Sequence, residues 1–194
     1  MEKTPGDPVS KICEQFSIDI AGDLESNPEL ITRLAKLDES GTTEQHISEA
    51  GASYTFFQID YYEDDNKLAS RTVAAILPGN RTELAYWTEA APSMTLDIHR
   101  GRGRLIIGDP SNGTTEDLPF DSRNDKKVTL PSGCFYTIQA DKDSVEPLVI
   151  SGFHKPPPNW DELEIPLNPG QDSVNAPEGV KQVPSDFRAA CDVS

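Results

Sequence analysis

Between Gly51 and Phe153 the apolar positions recur at every second residue, a period that predicts strands and not helices. Tyr54–Tyr62 (YTFFQIDYY) and Ser70–Leu77 (SRTVAAIL) flank a charged turn at Glu63–Lys67. Further short strands are predicted at Glu83–Thr88, Met94–His99, Arg104–Gly108, Thr115–Phe120 around Pro119, and Glu146–Phe153. Lys127–Gln139 (KVTLPSGCFYTIQ) reads as two strands joined at a tight corner, Pro131-Ser132-Gly133. Proline presets the corner's φ, and glycine takes the positive φ that other residues resist. Many short strands separated by Gly, Pro, Asn and Asp turns predict an antiparallel sandwich or barrel. A parallel sheet is excluded, because no helical crossovers lie between the strands.

The flanks read differently. Lys11–Phe16 suits a short helix, and a better one follows Asn27-Pro28, with asparagine as N-cap, proline in the first turn and Leu30, Ile31, Leu34 and Leu37 along one face. After His154 come Pro156, Pro157 and Pro158, then an extended segment to Leu167 that packs Trp160 on the barrel. The chain divides into an N-terminal helical extension (1–50), a barrel (51–167) and a Pro/Asp-rich tail (168–194), of which roughly the last twenty residues are expected to be weakly ordered.

At 194 residues the chain has room for a proper core. With 17 Lys and Arg against 33 Asp and Glu, its formal charge is −16, which argues against nucleic acid or an acidic membrane as partner and favours small molecules. No apolar run reaches the roughly 18–20 residues that span a bilayer, and the start MEKTPGDPVS lacks a signal peptide's apolar core, so a cytoplasmic protein is expected. Cys13, Cys134 and Cys191 are scattered and form neither a disulfide framework nor a zinc pattern. The acids of Glu63–Lys67 lack the ligand spacing of a calcium loop and read as a solvated hairpin tip. The sequons at Asn80 and Asn112 would carry no sugar without secretion.

Ser70–Leu167 resembles the cupin superfamily, in particular the stand-alone DUF985 (cupin-5) group. The likeness rests on SRTVAAILPGNRTELAYW, on RLIIGDPSNG, and on VTLPSGCFYTI through VISGF and WDELEI. It implies an all-β, cupin-type antiparallel jelly-roll barrel, with a short N-terminal helical segment, an extended Pro-rich C-terminal tail, a small-molecule pocket in the barrel's mouth and a homodimeric state. Metal cupins place one histidine three residues after the corner glycine, where this chain has Tyr136, and tend to have another after the tryptophan, where it has Thr88. Only His46, His99 and His154 are present in the whole chain, so neither a metal nor another cofactor is expected.

By the same resemblance, the face of Cys134, Tyr136 and Ile138 looks into the lumen. Tyr136 then offers a phenol as hydrogen-bond donor or weak acid, or simply fills space. Cys134 reads as pocket lining and not as a nucleophile, having no basic partner beside it. On Glu83–Thr88 alternation cannot say whether Tyr86 and Thr88 or Trp87 faces inward, so all three are candidate substrate contacts. Glu89, just beyond, is a candidate general base or a solvated strand-end charge. Asp97 and His99 share a face, as an acid–base pair or as structural groups at a sheet contact. Arg71, Arg102 and Arg104 could clamp a substrate anion or pair with surface acids. The expected activity is a metal-independent, non-redox rearrangement of a small metabolite: isomerisation, epimerisation, dehydration or cyclisation, of the kind found in natural-product biosynthesis. The alternatives are a non-catalytic binding cupin and a metal-dependent cupin dioxygenase.

Overall fold

The structure, a computed structural model, describes residues 39–47, 53–63, 66–155 and 159–192. The helices expected at Lys11–Phe16 and after Asn27-Pro28 lie outside these residues.

One sheet has six strands. β1 (Glu39–Ile47), β2 (Ser53–Glu63) and β3 (Asn66–Ile76) form a meander, followed in space by β10 (Leu148–His154), β5 (Met94–Arg100) and β8 (Lys127–Leu130). β1 lies inside the stretch read as a helical extension, so this sheet begins ahead of Gly51. The second sheet runs β11 (Glu164–Pro166), β4 (Ala85–Trp87), β9 (Cys134–Ala140), β6 (Arg102–Asp109) and β7 (Thr114–Asp121). All pairings are antiparallel.

Strands β3 to β10 pair in nested fashion: β3 with β10, β4 with β9, β5 with β8, and β6 with β7. That is one long hairpin rolled up, with orders β3-β10-β5-β8 and β4-β9-β6-β7 in the facing sheets, and it is the connectivity of a jelly roll. The corner at Pro131–Gly133 makes the roll possible, because it carries the chain from β8 in one sheet to β9 in the other. Gly133 has φ +73°, and its N–H donates to Trp87 O at 2.8 Å, tying the corner to the end of β4.

The core between the sheets takes Ile76, Leu96, Leu130, Leu148 and Ile150 from one side and Trp87, Leu105, Ile107, Tyr136 and Ile138 from the other. A second cluster covers the outer face of the five-stranded sheet. There the hairpin of β12 (Ser173–Ala176) and β13 (Gly179–Gln182), with helix α2 (Phe187–Asp192), brings Val174, Phe187 and Cys191 onto Tyr86, Ile106 and Phe135. The stretch from Asn168 is therefore a packed part of the fold and not a loose tail. Its few apolar residues suffice because Phe187 is completely buried, close against Gly108, where a Cβ would come within 2.8 Å of the ring. Among the described residues no helix is long and apolar enough to cross a membrane.

Candidate functional site

Inside the barrel lies a cavity of about 360 Å³, within the range that holds small organic ligands. Ala74 of β3, Met94 and Leu96 of β5, Ile138 of β9 and Ile150 of β10 supply apolar wall, and Tyr54 and Trp160 add aromatic rings. Trp160 opens the one-turn helix α1 (Trp160–Leu163), which leads straight into β11. Its ring packs 6.0 Å from that of Trp87 and meets His154 edge-on at 5.1 Å. The extended segment expected to pack Trp160 on the barrel does so, with a helical turn at that point.

The polar groups converge from three strands. Tyr136 projects inward from β9 because alternation puts it on the face of Cys134 and Ile138, and its hydroxyl donates to Glu164 Oε2 at 3.0 Å. Burial raises the Glu164 carboxyl above its ordinary value, and the charge of nearby Glu83 adds to this, while the Tyr136 hydrogen bond pulls the other way. Burial, followed by the Glu164 charge, pushes the Tyr136 phenol well up, so it stays protonated and remains a donor.

His154 ends β10 on the face of Ile150 and Gly152. It is buried, its Nε2 has no hydrogen-bond partner among the described residues, and burial lowers its pKa to about 4, so the ring is neutral at physiological pH. Gly152 leaves it room: a Cβ there would lie 3.1 Å from Met94 Sδ and 3.3 Å from His154 Nε2.

The sequence-derived candidates scatter around this cavity. Tyr136 lines it. Trp87 sits in the core beside Trp160, its Nε1–H donating to Pro92 O at 2.9 Å. Tyr86 faces the opposite way, its ring tilted against that of Phe135 with centroids 4.9 Å apart, in the cluster under α2. Thr88 is buried, and its hydroxyl donates to Glu162 O at 3.1 Å. Cys134 is buried in the core against Pro131 O and does not line the cavity; burial pushes its thiol up to about 12, which rules against nucleophilic attack. Glu89 forms an ion pair with Lys181 and lies outside the cavity; burial pushes its carboxyl up, the Lys181 ammonium is the main group that offsets this, and the net shift is downward.

On the outer face of the six-stranded sheet, His99 Nε2 lies 2.7 Å from Ser151 Oγ, and Arg71 Nε donates to the same oxygen at 3.3 Å. Asp97 pairs with Lys127 at 3.4 Å. Arg102 pairs with Asp141, and Arg104 bridges Asp117 and Gln139. The arginines and His99 do not meet Tyr136.

Glu83, His154, Asp161 and Glu164, which also line the cavity, were not among the candidates. His154 follows the parity of Leu148, Ile150 and Gly152, so extending the strand by one residue would have placed it inside. Glu164 carries no local signal, because it reaches Tyr136 only through the pairing of β11 with β4 and of β4 with β9.

The donor set does not fit a cupin-type metal centre. The positions matching that family's histidines hold Thr88 and Tyr136, both hydroxyls committed to internal hydrogen bonds. Among the described residues no three His, Cys, Asp or Glu side chains converge as ligands.

No family model matches the chain, and no curated protein matches its sequence. Solved structures of similar shape include the oxalate decarboxylase of Lactobacillus farciminis in complex with formate (19% identity over 64% of this chain, TM-score 0.48). This chain spans 33% of that protein's length. A cupin 2 conserved barrel domain protein from Rhodopseudomonas palustris shares 14% identity, with 68% of this chain and 81% of the other covered and a TM-score of 0.45. A cupin-2 domain protein from Rhodospirillum rubrum shares 17%, with 68% and 76% covered and a TM-score of 0.43.

Proposed function

We propose that this chain is a cupin-type barrel enzyme that rearranges a small organic molecule by moving a proton, without metal or redox chemistry. The observation that carries the reading is the meeting of Tyr136-bound Glu164 with a buried, unpartnered His154 in one ligand-sized cavity.

In this reading Glu164, its basicity raised by burial, takes a proton from a carbon next to a carbonyl. The C–H electron pair moves into a C=C bond and the carbonyl π pair onto oxygen. A neutral His154, with its proton on Nε2, hydrogen-bonds that oxygen, as an uncharged imidazole can. Glu164 then returns the proton to the same carbon from substrate turned over in the pocket, or to a neighbouring one. Tyr136 holds the carboxylate in position through its hydroxyl. Epimerisation, isomerisation and ring closure through an enolate all share this first step.

The test is protein-dependent loss of C–H signal by proton NMR in D₂O, over a panel of small cyclic and aryl ketones with exchangeable α-protons. Acid–base groups contribute about 10²–10⁴-fold. Exchange should therefore occur at one position and fall at least 100-fold in Glu164→Gln. Exchange unaffected by that substitution, or saturable binding with no exchange, would contradict the reading; the latter would leave a non-catalytic binding module.

A further inference from the structure

Glu83, Asp161 and Glu164 line the cavity, and among the described residues no Lys or Arg does. Glu164 receives the Tyr136 hydroxyl, but neither it nor Glu83 has a cationic partner among the described residues. An acidic lining alone says little in a chain of charge −16. His154 is the independent observation: nine-tenths buried, lining the same cavity, with no partner for Nε2. A buried polar atom left without a hydrogen bond costs roughly 1–3 kcal/mol, which is recovered if a group from outside binds there. The neutral ring also adds no positive charge to balance the acids.

We propose that the ligand of this cavity is an amine bound as its ammonium ion, with its N–H groups on Glu83, its charge shared with Glu164, and its hydrocarbon body against Met94, Leu96, Ile138 and Ile150. Trp160 adds an aromatic ring, the side-chain type that most favours a nearby cation. Carboxylates and phosphates are disfavoured by this lining, because they would bring a further negative charge beside Glu83, Asp161 and Glu164. This inference rests on reading the cavity as the ligand site, and not on the proton transfer.

Three probes of nearly one shape and different charge test it: 2-phenylethylammonium chloride, 2-phenylethanol and sodium 3-phenylpropionate, titrated by calorimetry at pH 7.5. The ammonium ion should bind at least ten-fold tighter than the alcohol and raise the melting temperature, with the propionate weakest. Glu83→Gln and Glu164→Gln should each cut the ammonium-to-alcohol preference several-fold. Equal or tighter binding of the alcohol or propionate, no binding by any of the three, or a preference that survives both substitutions would overturn the inference. The D₂O assay reads separately. Ammonium selectivity without exchange leaves this inference standing and removes the enzyme; exchange without selectivity does the reverse.

Discussion

The hydroxyl of Tyr136 donates to Glu164 Oε2 at 3.0 Å across the width of β4, the strand that separates their own strands β9 and β11. A phenol three residues after the corner glycine, Gly133, thus orients a carboxylate. Tyr136→Phe removes the hydrogen bond and keeps the ring. The exchange rate should fall about ten-fold or more, while stability changes by only about 1 kcal/mol. The hydrogen bond also holds the Glu164 carboxyl down against burial, so the variant's pH–rate profile should move to higher pH. A profile that stays in place would show that the two residues do not titrate as neighbours.

His154 and Glu164 act on stability with opposite signs. The folded-state pKa of His154 is lowered from 6.5 to about 4, so as pH falls the unfolded chain takes up this proton first. Stability is lost between those values, by up to about 3 kcal/mol. Glu164 is raised above 4.5 when folded, so it costs stability at neutral pH, and the cost disappears as pH falls. Urea melts from pH 7.5 to 4 should show a shallower acid decline in His154→Gln than in the parent. At pH 7.5, Glu164→Gln should melt higher than the parent.

Gly152→Ala adds one methyl next to Met94 Sδ and His154 Nε2. The flexible methionine can give by a few tenths of an ångström, so the melting temperature should change little, the cost staying near 1 kcal/mol. The cavity narrows between Met94 and His154, and affinity for 2-phenylethylammonium should fall about ten-fold, as calorimetry would show. Unchanged affinity would move the ligand away from β10.

The strand pattern of the barrel is legible in the sequence because alternation and turn residues are local signals. The corner at Pro131–Gly133 and the docking of Trp160 could be read for the same reason. The facing of β4 could not: Ala85, Tyr86 and Trp87 are all buried, the first and third by the barrel core and Tyr86 by the C-terminal segment. When both faces are covered, alternation carries no information. The packed C-terminal segment was obscured by its Pro, Asp and Gly content, since only Val174, Phe187 and Cys191 anchor it deeply. Arg102 and Arg104 looked like part of an anion clamp because their acidic partners, Asp141 and Asp117, lie outside their own strand β6.

That C-terminal segment gives a further test. Phe187 is completely buried on Phe135 and Gly108. Phe187→Ala should destabilise the whole fold by about 3–5 kcal/mol in a single transition. A loss confined to a separate, low-temperature transition would make the segment an appendage.

The most direct measurement is long-range ¹H–¹⁵N NMR of the histidine rings, with His154 assigned by its loss in His154→Gln. The ring of His154 should stay neutral from pH 8 down to about 5, and its Nε2 signal should shift when a compound that exchanges in the D₂O assay is added. A His154 that titrates near 6.5, or that ignores such a compound, would contradict the placing of the chemistry in this cavity.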